Sequence, residues 1–148
     1  DEELFWQPTS ESNSIAIIVQ HLVGNMLSRW TDFLNSDGEK VWRNRDEEFE
    51  SRINTKIQLL NEWQNGWNCL FDALELIDSY EVLNQTIYIR NEPHTIVEVI
   101  NRQLAHYPYH IGQIVFIGKM IKNENWFSLS IPKNKSKEYN QEKFNKNK

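Results

Sequence analysis

Apolar residues recur every three or four positions along three stretches of this chain, and each stretch predicts a helix with one buried face. The first runs through Ile15, Ile18, Leu22, Met26, Trp30 and Phe33, with Ser12 or Ser14 placed to cap it and an end expected between Asn35 and Gly38. Gly38 would carry no Cβ penalty if the chain turned left-handed there. The second helix is expected from about Thr55 to Asp78, on a stripe of Ile57, Leu60, Trp63, Trp67, Leu70, Phe71, Leu74 and Ile77. Gly66 weakens its interior by about 1 kcal/mol relative to Ala, a cost that close packing of the flanking tryptophans can offset. The third is expected from His94 or Thr95 to about Lys122. Pro108 inside it removes one amide donor and predicts a local bend, and Gly112 and Gly118 would admit a close neighbour.

The intervals between these helices differ in kind. Residues 1–13 read as an irregular acidic lead-in, with Trp6 and Pro8 available to pin it. Residues 37–49 mix strong charges with aromatics and show no period, so they predict a loop with one short helical turn. A long ordered connection of this sort often lies over a site; the simpler reading is that Trp42 and Phe49 only anchor it. Thr86-Ile87-Tyr88-Ile89-Arg90 predicts a short extended segment, which needs a partner strand nearby. Past Trp126 the pattern fades into Lys and Asn. Residues 1–132 are therefore expected as one helical domain, and residues 133–148 as a basic, mobile tail.

Composition narrows the function classes. The 148 residues fit one domain. A formal charge of −5 argues against nucleic acid as partner, since phosphate contacts need a basic footprint. No run of about 18 apolar residues predicts a membrane span. The single cysteine, Cys69, lies in a helical apolar stretch and reads as a buried inert thiol. Together with the absence of a signal-like start, this points to the cytoplasm.

The residues with distinctive chemistry are histidines. His106 and His110 stand four apart in the last helix, roughly 6 Å from one another at Cβ. His21 on the first helix could complete a set of three imidazoles, which leaves an open position on a divalent ion. Gln103, His106, His110 and Gln113 form a polar seam on an otherwise apolar helix, and buried polar groups need partners. His21 lines up with Gly24, Asn25 and Ser28, small or polar neighbours that leave room for a ligand. Asn25, Gln103 and Gln113 are the candidate cofactor-orienting groups. The alternative is three imidazoles hydrogen-bonded within the core. Tyr107 follows His106, so the His-Glu-x-x-His protease pattern is rejected, and no nucleophile-elbow pattern exists. His94 would be about 18 Å from His106 along a helix and reads as a surface or helix-start residue.

Residues 13–22 (Asn-Ser-Ile-Ala-Ile-Ile-Val-Gln-His-Leu), followed by Gly24-Asn25-Met26-Leu27-Ser28-Arg29-Trp30, resemble the DinB-like superfamily, and in particular its DUF1572 branch from Gram-positive bacteria. Asp37-Gly38-Glu39-Lys40, Trp42-Arg43-Asn44-Arg45-Asp46, Glu48-Phe49 and residues 104–115 extend the likeness over most of the chain. The resemblance implies an all-α four-helix bundle of up-down-down-up order, usually dimeric, with a divalent metal on three histidines that fall on His21, His106 and His110. Only three long helices are readable here, so the first family helix is expected to be missing from this chain or to differ. Characterised relatives include transferases and isomerases that use bacillithiol, mycothiol or glutathione.

The leading expectation is a metal-dependent enzyme acting on a small molecule, with S-transfer from a bacillithiol-type thiol. The alternatives are a metal-dependent hydrolase or isomerase, or a non-catalytic metal- or ligand-binding protein. Zn or Ni are the expected ions, with Fe or Co also compatible with imidazole. A homodimer is expected, without nucleic acid or membrane.

Overall fold

The computed structural model describes residues 1–145. Helix α1, Ile15–Trp30, begins where the Ser14 hydroxyl accepts the Ile17 amide at 3.2 Å. It stops earlier than the apolar spacing predicts. Asp32 takes a positive φ of 46°, and its carbonyl accepts both the amide and the hydroxyl of Ser36, so a turn replaces the last predicted helical residues. Phe33 still reaches the core, edge-on to Trp30 at 5.6 Å, which explains why it fitted the helical stripe. No glycine has a positive φ. Gly38 is needed for space, since a Cβ there would lie 2.6 Å from Arg29 Nη1.

Helix α2, Lys56–Glu75, is capped by Thr55, whose hydroxyl accepts the Gln58 amide. Gly66 is buried against α1: an added Cβ would sit 3.1 Å from Met26 Sδ and 3.3 Å from Val23 Cα. The close helix approach expected of Gly112 and Gly118 is thus found at Gly66. Gly112 has no such neighbour, because a Cβ there would meet nothing within 4 Å. Cys69 is half-buried, with its sulfur near Thr31 and the Met26 carbonyl.

The pairings give the helix directions. Val23 and Met26 meet Gly66, while Thr31 meets Cys69, so α1 and α2 run parallel. A parallel successor must start back at the other end of its predecessor, and a 16-residue helix is about 24 Å long. The connection through residues 31–55 is long because it makes that return. It includes a 3-10 turn at Asp46–Phe49, the short helical turn that the sequence predicted in this loop.

A short helix α3, Tyr80–Leu83, precedes strands β1, Thr86–Ile89, and β2, Glu92–Thr95, which pair antiparallel with Ile89 opposite Glu92. The extended segment thus finds its partner in residues expected as a break and a helix start. Arg90 and Asn91 form the tight turn with φ of 54° and 63°, a conformation that normally favours Asn-Gly. Asp37 compensates: its carboxylate accepts both turn amides at 2.8 Å, which holds it below the usual carboxylate range despite an opposing effect of desolvation. Pro93 is tolerated because a two-stranded sheet has free edges.

Helix α4, Ile96–Lys122, starts after Thr95, whose hydroxyl accepts the Glu98 amide while the Glu98 carboxylate accepts the Thr95 amide, a reciprocal cap. It passes through Pro108 without interruption. Leu22, Met26, Ile96 and Val99 lie in the core, and Trp30 Nε1 donates to the Tyr107 hydroxyl at 3.0 Å, fixing the rotation of α4 against α1. The result is a multi-helix, all-α bundle of DinB-like type. Chain contacts divide it into Asp1–Ile117 and the residues from Gly118 onward. The latter carry a helix α5, Ser136–Asn145, with no buried residue, inside the stretch expected as a tail. Among the described residues, no helix is long and apolar enough to cross a membrane.

Candidate metal centre

His21 is 3% exposed on α1, and His106 and His110 project from successive turns of α4 toward it. His106 Nε2 lies 3.3 Å from His21 Nε2 and 3.1 Å from His110 Nε2. All three candidate ligand nitrogens fall within 4.8 Å of one another. The predicted set of residues is therefore brought together, from two helices and across 85 residues of chain.

The outer ring atoms decide which way the lone pairs point. His21 Nδ1 bonds Glu48 Oε2 at 2.9 Å, and His110 Nδ1 bonds Gln113 Oε1 at 2.8 Å. Both partners are oxygen acceptors, so each Nδ1 carries the proton and each Nε2 turns a lone pair inward. A proton on His106 Nε2 could satisfy one of those lone pairs at a time. A single cation could take all three; tetrahedral ligation at 2.0–2.1 Å would space nitrogens by about 3.4 Å, close to the two spacings from His106, with His21 and His110 drawing together from within 4.8 Å. The donor set thus fits a divalent ion. Burial, and then the proximity of His110 and His21, push His106 down to about 4. His110 is lowered by burial against the opposing Gln113 bond. Neutral rings are the form that binds metal.

Glu48 is the residue that sequence reasoning missed. It is 2% exposed, delivered by the 3-10 turn of the return loop, and its carboxylate also accepts Arg43 Nε at 2.7 Å and Nη2 at 3.0 Å. Desolvation opposes its ionisation, but the hydrogen bonds from His21 and Arg43 and the charge of Arg43 hold it below the usual range. Two α1 residues make room and purchase for it. Gln20 Nε2 lies within 3.1 Å of the carbonyls of Glu47, Glu48 and Glu50, and Gln20 Oε1 accepts the Arg52 amide. An added Cβ at Gly24 would sit 2.7 Å from Glu48 Cδ. Phe49 does more than anchor the loop: its ring stacks on His21 at 5.1 Å, closing one side of that imidazole.

A cavity of about 190 Å³ opens beside the histidines, with His21, His106, Asn25 and Gln103 in its wall. Asn25 Oδ1 and Gln103 Oε1 are buried there with no hydrogen-bond partner among the described residues. Of the three predicted orienting groups, then, Gln113 touches a histidine and the other two face the cavity. A larger cavity of about 460 Å³ shares Arg43 with it but touches none of the three histidines. His94 lies half-buried on β2, outside the cluster.

A family model described as "Protein of unknown function (DUF1572)" matches residues 1–135. The chain belongs to the DUF1572 family. This places it in the DinB-like superfamily, as the sequence motifs implied, and the matched region contains every residue of the histidine cluster and of the Glu48–Arg43 pair. Neither the curated proteins nor the solved structures gave a match.

Proposed function

We propose that this DUF1572 chain is a metal-dependent enzyme acting on a small molecule, with His21, His106 and His110 as the ligands of one divalent ion. Zn or Ni is the proposed ion, and a bacillithiol-type thiol is the proposed cosubstrate of an S-transfer. The observation that carries this reading is the convergence of the Nε2 atoms of His21, His106 and His110 beside an open cavity whose wall includes His21 and His106. When bound, a divalent ion there supplies a Lewis acid that favours the deprotonated form of a thiol or water.

The chain's own residues do the rest. Glu48 and Gln113 fix the two imidazole tautomers, and Phe49 covers one face of His21. Asn25 and Gln103, both in the cavity wall, keep buried amide oxygens without a hydrogen-bond partner among the described residues, available to a ligand only if the wall rearranges. Cys69 is not in the cavity wall, so the cavity offers no protein thiol and a nucleophile has to arrive with the ligand. This favours a thiol cosubstrate over a cysteine mechanism.

The test has two stages. Purified protein is expected to hold about one metal per chain by elemental analysis, on particles of two chains in solution, and His106→Ala is expected to lose the metal. Conjugation of bacillithiol to a panel of model electrophiles should then proceed with the metal-loaded protein and stop on chelation. Unchanged metal content in His106→Ala removes the site; metal loading without any chelator-sensitive conjugation removes the transferase reading.

A further inference from the structure

Five of the six arginines in this acidic chain line the cavity beside the histidines: Arg29, Arg43, Arg45, Arg90 and Arg102. Glu39 is the only carboxylate residue in the same wall among the described residues. It lies 3.3 Å from Arg43 and 3.4 Å from Arg90, and Glu48 also holds Arg43. Arg29, Arg45 and Arg102 have no carboxylate at ion-pair distance among the described residues.

Arg45 and Arg102 are exposed, so water can solvate them. Arg29 is different. It is 5% exposed, and its Nε and Nη1 have no hydrogen-bond partner among the described residues. A buried guanidinium without an acceptor is costly unless something else completes it. Its place is also built. Gly38 leaves the space that Nη1 occupies, Ser28 holds the Gly38 carbonyl at 3.0 Å, and the Gly38 amide donates to the Tyr88 carbonyl at 2.8 Å. Desolvation lowers the pKa of Arg29, and the charges of Arg102 and Arg43 add to that effect against Glu39.

We propose that this cavity is an oxyanion subsite, taking the carboxylate or phosphate group of a small ligand on the Arg29 guanidinium beside the three imidazoles. Planar guanidinium groups match both anions in two-point contacts. The subsite rests on the metal-enzyme reading for its role, which is to hold a substrate or cosubstrate by its negative group with its reactive end toward the histidines. Its existence depends only on the arginines.

The experiment is calorimetric titration of the full chain, zinc-loaded and metal-free, with inorganic phosphate and with succinate at low ionic strength. Saturable binding of at least one anion is expected, and the preferred anion separates phosphate from carboxylate recognition. Arg29→Gln and Arg102→Gln should each weaken it at least tenfold. Arg102 is exposed, so its variant reports even if Arg29→Gln fails to fold. Arg52→Gln, the arginine outside this cavity, should stay within twofold. No saturable binding of either anion, or equal losses in Arg52→Gln and Arg102→Gln, overturns the subsite. Zinc uptake measured on the same samples separates the two ideas: anion binding without zinc uptake sinks the metal reading alone, and zinc uptake without anion binding sinks the subsite alone.

Discussion

Glu48→Gln keeps the shape of the buried carboxyl and removes its charge. In the native protein the carboxylate accepts three hydrogen bonds, from His21 Nδ1, Arg43 Nε and Arg43 Nη2, at 2.9, 2.7 and 3.0 Å. An amide offers one oxygen, and its NH2 must face at least one of those donors. If His21 loses its acceptor, the tautomer with hydrogen on Nε2 becomes accessible and withdraws a lone pair from the cluster. Outer partners of metal-bound histidines are worth about 10- to 100-fold in metal affinity, or about 1.4–2.7 kcal/mol. The same change breaks a buried ion pair, which costs about 3–5 kcal/mol of folding stability. The lower end is expected here because Arg43 keeps Glu39 at 3.3 Å. The two effects separate experimentally: affinity by competition with a chromophoric chelator, stability by urea unfolding of metal-free protein. Gln113→Leu is the companion, since it removes a neutral acceptor from His110 and should cost less than tenfold. A folded Glu48→Gln protein whose metal affinity stays within twofold of the parent would refute the claim that Glu48 sets the His21 tautomer.

Two further outcomes follow from packing and titration. Gly24→Ala should push the Glu48 carboxylate off His21, costing about 1–3 kcal/mol by overpacking together with metal affinity, whereas Gly112→Ala, with open space around it, should gain up to about 1 kcal/mol from helix propensity; paired urea curves test this, and equal effects would contradict it. The metal-free protein should lose stability as pH falls from about 6.5 toward 4, because the unfolded chain takes up a proton on His106 that the folded chain, with its pKa at about 4, refuses. Below pH 4.5, protonation of Glu48 in the unfolded state adds a second loss, which continues down to its depressed folded-state pKa. Urea midpoints at pH 7, 5.5, 4.5 and about 3.5 check both, and a flat profile between 7 and 5.5 would rule out the His106 contribution.

The histidine cluster and the three long helices were legible because each rests on a short-range rule. The i, i+4 spacing puts His106 and His110 on one face whatever the tertiary fold, and apolar periodicity marks α1, α2 and α4 within a few residues. Where the sequence misled, a contact that apolar spacing does not encode had decided the matter. Phe33 satisfies the helical stripe but reaches the core from a turn. Residues 92–95 join β1 instead of starting a helix because Asp37, more than fifty positions away, holds the turn between them. Glu48 could not be told from Glu47 or Glu50 by type or neighbourhood; only the clamp from Gln20 and the gap at Gly24 select it.

These misses share one cause, the parallel course of α1 and α2. Antiparallel helices would need only a short connection and would leave His21 without a loop beside it. The return path through residues 31–55 is what carries Asp37, Glu39, Arg43 and Glu48 to the flank of α1, and none of them lies on a long helix. One loop therefore does three things: it sets the tautomer of His21, pins the hairpin that presents Arg90, and supplies part of the arginine wall. A charge run in a bundle of this order has reason to be read as wall before it is read as solvated surface. The arginine titrations separate those two readings, because a solvated run would respond to salt and to Arg52→Gln as strongly as to Arg102→Gln.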